Sequence, residues 1–363
     1  MDLLNEARQI INEVDEEMAK LFVRRMEAAS MVAEYKKANG MPILDPIREE
    51  QVIQKNAARI ESEEMRSYYI PFIRRNMEIS RSYQTKLLEG MHVAYCGTEG
   101  AFAHIAAKRL FPSANAQAFG SFADAYRAVE EGNCEVAVLP VENSYNGEVG
   151  QVTDLMFFGS LYINGIYDLA VSHDLLVAKG TKKENIKRII SHPQALGQCA
   201  EYIRENGWEQ VEYPNTALAA KLVSESHDPT LAAIASAEAA EVFELEVLER
   251  NINESRSNTT RFAVFSRSEN RNLSEQMGAH FVLLFTVQNS AGSLAKAINV
   301  IGSHGFNMRT LRSRPMKSLL WQYYFYVEAE GDIHSPEGVA MLKELSAVCD
   351  RLRPVGSYCQ TNI

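Results

Sequence analysis

Two groups of polar residues in this chain could do chemistry. The first lies near the N-terminus. Arg25 and Lys36 are about three helical turns apart, so they share one face of a helix. Asp45, Arg48 and Glu49 open a second helical stretch, and Ser80 and Gln84 stand i,i+4 on a third. Two cations, an acidic cap and an amide can therefore converge between helices, which is where helical bundles build their sites. Arg8 lies roughly 25 Å up the same helix from Arg25. It cannot reach that pocket from its own chain, but in an antiparallel dimer of long helices it could enter the neighbour's. The second group follows the run AVLPVENSYNGEVG, a buried strand turning into a polar loop that carries Glu142, Asn143 and Ser144. Strand C-termini are where α/β folds place ligands. SNTTRF, just before another strand, adds Thr259, Thr260 and Arg261, and SHPQALGQC starts at a strand end and runs into a helix with proline in its first turn.

The elements that must position these residues can be read from hydrophobic spacing. Leu3, Ala7, Ile10, Val14, Met18 and Leu21 recur at intervals of three and four, which predicts one helix over residues 2–38. At roughly 55 Å such a rod needs partner helices. Asn39-Gly40 ends it, Asp45-Pro46 starts a second helix with Asp as N-cap, and a third covers about 66–88. From Gly90 onward strands and helices alternate, which predicts an α/β region with largely parallel sheets. After a polar linker at 268–276, the strand HFVLLFTVQ, a helix, two strands, a helix and a last strand at 351–357 give a βαββαβ, ferredoxin-like order. Domains are expected at 1–89, 90–267 and 278–363.

Composition limits the possible partners. The 363 residues are 46% hydrophobic, enough for several cores, and carry a net charge of −10. With no Lys/Arg tract, nucleic acid is not expected as a partner. Anionic ligands would need positive groups placed locally. The five cysteines are scattered without C-x-x-C pairing, and His104, His173 and His192 lack ligand spacing, so no metal is expected. The acidic start (Met1-Asp2-Leu3) lacks a leader pattern and no long apolar run occurs. Together these features predict a cytoplasmic protein without a membrane span.

Three resemblances stand on these residues. Residues 3–88 resemble the all-helical chorismate mutase family through Arg8, Asp15, Arg25, Lys36, Pro42, Asp45, Arg48, Glu49, Ser80 and Gln84. The resemblance implies that Arg25 and a partner's Arg8 clamp the two carboxylates of chorismate. Lys36 and Gln84 would serve its ether oxygen and Glu49 its ring hydroxyl, with Asp45, Arg48 and Ser80 completing the pocket. Residues 91–267 resemble prephenate dehydratases through VAYCGTEGAFAHIAA, LPVENSYNGEV, SHPQALGQC and NTTRF in that order. This implies two α/β lobes around a cleft, as in type II periplasmic binding proteins. Thr260 would donate the proton, Arg261 would hold carboxylate, and Glu142, Asn143 and Ser144 would line the site. Glu142 with a raised pKa is a physical competitor for the proton-donor role. The family's GPxGTFS reads Gly97-Thr98-Glu99-Gly100-Ala101-Phe102-Ala103 here, which leaves prephenate against its amino analogue arogenate open.

Residues 278–363 resemble an ACT domain, a module that binds small ligands such as amino acids. Its N-x-P-G-A-L reads Asn289-Ser290-Ala291-Gly292-Ser293-Leu294, which would make Asn289, Gly292 and Leu294 the regulatory contacts. Its I-E-S-R-P reads Leu311-Arg312-Ser313-Arg314-Pro315, a base where the family has an acid. The implied whole is a cofactor-free enzyme of phenylalanine biosynthesis. It would turn chorismate into prephenate and prephenate into phenylpyruvate, as a dimer or tetramer, with phenylalanine a possible effector. The competing expectations are a mutase fused to an arogenate-preferring dehydratase, and a non-catalytic sensor of aromatic metabolites.

Overall fold

The computed structural model describes residues 2–254, 258–271, 278–316 and 322–359. Most of the expected linker, 272–276, lies outside them. The described chain falls into two compact units, the first almost wholly residues 2–92 and the second the remainder.

The first unit is three helices: α1 (Leu3–Ala38), α2 (Pro46–Ala57) and α3 (Glu63–Glu89). The 36 residues of α1 make a rod of about 54 Å. Asp45 caps α2 by accepting from the Arg48 N–H at 2.9 Å, with Pro46 at the position where a missing N–H costs nothing. Ser62 caps α3 in the same way. Only Ala29 and Ala33 of α1 are buried, and these small residues let α3 approach closely. Ile53, Ile73 and Met77 form the small core shared by α2 and α3. Along the N-terminal half of α1, Leu3, Ile10, Val14, Met18 and Leu21 remain exposed.

The second unit holds three sheets. In the first, Asn115–Phe119, His92–Cys96, Val136–Asn143, Thr259–Ser266 and Tyr162–Ala170 lie side by side, with Gly147–Glu148 hairpinned back onto Val136–Asn143. In the second the order is Glu246–Glu249, Asp174–Val177, Leu231–Ala235, Arg188–Ser191 and Glu209–Glu212. Apolar clusters cover both faces of that second sheet. The expectation of largely parallel sheets is corrected: both are mixed. The chain leaves the first lobe after Ala170 and returns to it as Thr259–Ser266, and the returning strand runs antiparallel to both neighbours. The two crossings are tied to each other by Val171 N–H to the Asn258 carbonyl (2.8 Å) and Ile252 N–H to the His173 carbonyl (2.9 Å).

The third sheet follows the expected order: strand Ala279–Thr286, helix Ser293–Ser303, strands Asn307–Pro315 and Tyr323–Glu330, helix Pro336–Val348, strand Arg351–Cys359. All its pairings are antiparallel and the spatial order is that of a ferredoxin-like sheet. One of its faces packs on the two helices around Phe281, Leu283, Phe285, Met341 and Leu345. Strand Arg351–Cys359 lies against Tyr162–Ala170 of the first lobe. Arg351 and Arg353 donate to the carbonyls of Phe157 and Leu161, both at 2.9 Å, and the Tyr324 ring stacks on Phe157. Gly356 meets the first lobe backbone to backbone: a Cβ there would stand 2.3 Å from the Ile163 carbonyl oxygen, and its φ of +140° is a glycine conformation. Gly356→Ala is therefore expected to destabilise the second unit by about 2–4 kcal/mol. Chemical unfolding of the purified chain measures this, and a change within about 0.5 kcal/mol would show that the two strands do not meet backbone to backbone.

Candidate active sites

The helical unit contains a pocket of ≈ 280 Å³ lined by Arg25, Lys36, Asp45, Arg48, Glu49, Ser80 and Gln84, among others. Every pocket residue expected within one chain is brought together. Arg8 is not; it lies exposed near the far end of α1, as its distance along the helix requires. Arg25 donates to Ser80 Oγ and to the Asn76 carbonyl (3.3 Å), and burial lowers its pKa from the ordinary arginine value. No carboxylate among the described residues pairs with it. A half-desolvated guanidinium left in that state favours an incoming carboxylate. Lys36 donates to the Ile43 carbonyl, which holds the connection between α1 and α2 against the pocket. Ser80 and Gln84 are 6% and 8% exposed, and Gln84 Oε1 is buried without a partner. Glu49 pairs with Arg81, a pocket residue that the sequence reading did not single out. Arg81 falls outside the periodic contacts considered there, and its role appears only when α2 and α3 pack.

The two lobes of the second unit enclose a cleft of ≈ 310 Å³. Its lining includes Asn143 and Thr260, but not Glu142, Ser144 or Arg261. The structure turns these five residues to two different faces, and the reason is the period of two in a strand. Asn143 pairs in register with Thr260 and turns to the cleft, while Glu142 pairs with Arg261 and turns to the opposite face. There Arg261 is held by both oxygens of Asp168, at 2.9 and 3.2 Å, and lies 3.8 Å from Glu328 of the C-terminal sheet. Glu142 accepts from Arg312. Ser144 is used locally, its hydroxyl accepting from the Thr259 N–H at 2.9 Å.

On the cleft side a chain of amides holds Thr260. Asn143 Oδ1 accepts from the N–H groups of Tyr145 and Asn146, both at 3.0 Å, which fixes the amide's orientation. Its Nδ2 then donates to Thr260 Oγ1 (2.9 Å) and to Asn258 Oδ1 (3.0 Å). Asn258 in turn donates to Gln198 Oε1 at 2.9 Å, and His173 Nε2 meets the same oxygen at 2.7 Å. Since that oxygen only accepts, the proton sits on Nε2 of a neutral imidazole. His173 and Gln198 are 3% and 7% exposed, yet His173 Nδ1 and Gln198 Nε2 lack partners. A buried donor and a buried acceptor thus stand ready at the cleft wall. Gln198 and Asn258 lie inside the motifs SHPQALGQC and NTTRF, but sequence reasoning gives neither a role. Neither carries charge, and their meeting depends on the two interlobe crossings.

No Lys or Arg lines the described cleft, so the donors it offers an anion are backbone N–H groups and neutral side chains. The helices starting at Phe102, Gly150, Pro193 and Thr216 all bring first-turn or capping residues to the lining. The first has Ala101 at its N-cap, with no side chain on the free N–H groups. Helix N-termini attract anions through such groups. In the C-terminal sheet, Asn289 and Gly292 sit in an exposed loop, with Gly292 at φ +84°, and Leu294 packs onto the core. No His/Cys/Asp/Glu group among the described residues could hold a metal, and no described helix is long and apolar enough to cross a membrane.

Residues 7–85 match the chorismate mutase type II family and residues 93–270 the prephenate dehydratase family. The bifunctional chorismate mutase/prephenate dehydratase of Escherichia coli K12 is 30% identical over 371 residues, 98% of this chain and 96% of the relative. This chain belongs to the bifunctional chorismate mutase/prephenate dehydratase family. Among solved structures, GqqA, described as a novel type of quorum quenching acylase, is 32% identical with a TM-score of 0.69, covering 75% of this chain and 98% of its own. The prephenate dehydratase of Arthrobacter aurescens in complex with L-Phe shares the fold at 24% identity, with a TM-score of 0.69 and 74% and 90% coverage. Within the bifunctional family frame, the helical pocket and the interlobe cleft fall in the separately matched segments.

Burial holds the His173 and His104 rings below the ordinary histidine range. As pH falls, the unfolded chain takes up these protons first, so the stability present above about pH 6.5 declines toward the folded-state values. Urea midpoints measured between pH 7.5 and 5 should fall in the wild type and fall less in His173→Gln. Equal slopes would show that His173 is not the buried neutral group described.

Proposed function

We propose that this chain rearranges chorismate to prephenate in the helical pocket and converts prephenate to phenylpyruvate in the interlobe cleft. The first reaction is pericyclic and needs neither nucleophile nor cofactor. The enzyme must hold the enolpyruvyl arm over the ring and stabilise charge on the ether oxygen as its C–O bond breaks. Arg25 would take one carboxylate, and Lys36 with Gln84 would donate to the ether oxygen. Glu49 would accept from the ring hydroxyl, with Asp45, Arg48 and Ser80 closing the pocket. The observation that carries this reading is a desolvated Arg25 without an acidic partner beside Lys36 and the buried amide of Gln84, whose Nε2 donates one hydrogen to the Ser80 carbonyl at 3.2 Å and keeps the other. Arg8 would enter from a second copy, whose α1 would also cover the apolar stripe left exposed on this one.

In the cleft, the substrate loses carbon dioxide and its ring hydroxyl together, and aromatisation supplies the drive. One proton is consumed as the hydroxyl leaves as water. Because Asn143 donates to Thr260 Oγ1, the threonine's own hydrogen is free to point at the leaving hydroxyl. The helix N-termini would hold the carboxylates in place of Arg261. Acyl hydrolysis, the activity in GqqA's description, is less well supported here. It needs a nucleophile beside a base, whereas Thr260 is bonded to an amide and His173 to Gln198. Cys199 is a buried thiol with its pKa pushed up to about 12. The ferredoxin-like domain, 278–363, is read as an ACT module with Asn289, Gly292 and Leu294 at an amino-acid site, and phenylalanine is the proposed effector of a homo-oligomer. On this reading the mutase domain would span 1–89 and the dehydratase domain 90–267.

Lys36→Ala should lower chorismate consumption at least 100-fold and leave prephenate turnover intact, while Asn143→Ala should do the reverse. Chorismate loss and phenylpyruvate appearance are followed separately, and parallel loss of both in either variant would contradict two independent sites. For the shared pocket, Arg8→Ala mixed with Arg25→Ala should regain mutase activity once subunits exchange, because one pocket in the mixed dimer holds both arginines. Exchange without recovery would place Arg8 outside the site.

A further inference from the structure

The Val136–Asn143 and Gly147–Glu148 hairpin poses an electrostatic problem that the cleft chemistry does not explain. Glu142 and Glu148 are direct cross-strand partners, so two carboxylates stand on neighbouring positions of one short ladder. Like charges placed opposite each other repel. The C-terminal sheet supplies the counter-charges. Arg312 and Arg314, two residues apart on strand Asn307–Pro315, share a face. Arg312 bonds Glu142, and Arg314 lies 3.4 Å from Glu148 while also bonding Asp154 (3.2 Å) and Tyr324 (2.9 Å). Both arginine side chains are mostly buried, at 25% and 19% exposure, so these pairs are poorly screened. Arg312 also stands 5.7 Å over the Tyr326 ring, which fixes the direction from which it reaches Glu142.

The hairpin is also the cleft wall. Asn143, the residue after Glu142, holds Thr260, and Asn146, Gly147 and Val149 of the same hairpin also border the cleft. We propose that Arg312 is a positioning residue for the dehydration step. It holds Glu142 on the outer face of the strand and so sets where Asn143 and Thr260 stand on the inner one. The C-terminal sheet is thereby a structural part of the cleft, through a base at the position where its family has an acid. The inference rests on the dehydratase reading of the cleft. It concerns Arg312 alone, with Arg314 as the second anchor of the same clamp.

The test is the steady-state kinetics of the full chain with prephenate, for wild type, Arg312→Gln and Arg312→Lys, each also in a Glu142→Gln background. Chorismate consumption serves as a control on the preparation. Arg312→Gln should lower kcat about 10- to 100-fold with KM changed less than about threefold, the signature of misplaced groups rather than lost binding. Arg312→Lys should recover a good part of the loss. With Glu142→Gln already present, the added effect of Arg312→Gln should shrink below about twofold. Unchanged kcat in Arg312→Gln, or the same fold-loss in both backgrounds, would overturn the inference. A wild-type chain that consumes chorismate but not prephenate would instead overturn the dehydratase reading on which it rests.

Discussion

The antiparallel pairing of Val136–Asn143 with Thr259–Ser266 is the constraint on which the second unit depends. The returning strand is what joins the two lobes, and its register sorts four chemically active residues onto two faces. Asn143 and Thr260 go to the cleft, while Glu142 and Arg261 go to the C-terminal sheet. A slip of the returning strand by one residue would turn Arg261 to the cleft beside Asn143 and Thr260 to the outer face beside Glu142. It would separate Thr260 from the amide that holds it and Arg261 from Asp168 and Glu328. The buried apolar neighbours Phe262, Ala263, Val264 and Phe265 make such a slip costly, since they pack on both sides of the same strand.

On the proposed reading the chain meets anions in two physically different ways. The helical pocket would use side-chain cations, Arg25 and Lys36, with a second copy completing it. The cleft would use helix N-termini and neutral amides, while Arg261 is turned outward into an ion pair with Asp168. Backbone donors have the advantage of being fixed when the fold forms, so they need little reorganisation as charge moves during the reaction. Guanidinium groups give stronger pairing with carboxylates, at the cost of desolvating a charge that must wait for its partner. With a net charge of −10 the chain has no general positive field to draw anionic substrates in, so their attraction must be local.

Much of this was legible before any coordinates. The rod of α1, the Asp45-Pro46 cap and the ferredoxin-like order followed from spacing and capping chemistry, which act locally. The pocket residues of α1, α2 and α3 also emerged, because helical periodicity places side chains directly. Three things did not emerge. Mixed sheets were hidden because strand direction is set by the interlobe crossings and not by composition. The outward turn of Glu142 and Arg261 was hidden because neighbouring motif residues were read as one group, although a strand must alternate them. The amide chain through Asn258 and Gln198 was hidden because uncharged residues far apart in sequence give no signal until two crossings bring them together.

The most direct measurement is a crystal structure of the protein with phenylpyruvate bound in the cleft. The account predicts the product carboxylate at the helix N-termini near Phe102 or Thr216, within reach of Gln198, with Thr260 facing the ring. Arg261 should stay on Asp168 and Glu142 on Arg312. A product carboxylate paired directly with Arg261, with the strand register shifted or the Asp168 pair broken, would contradict it.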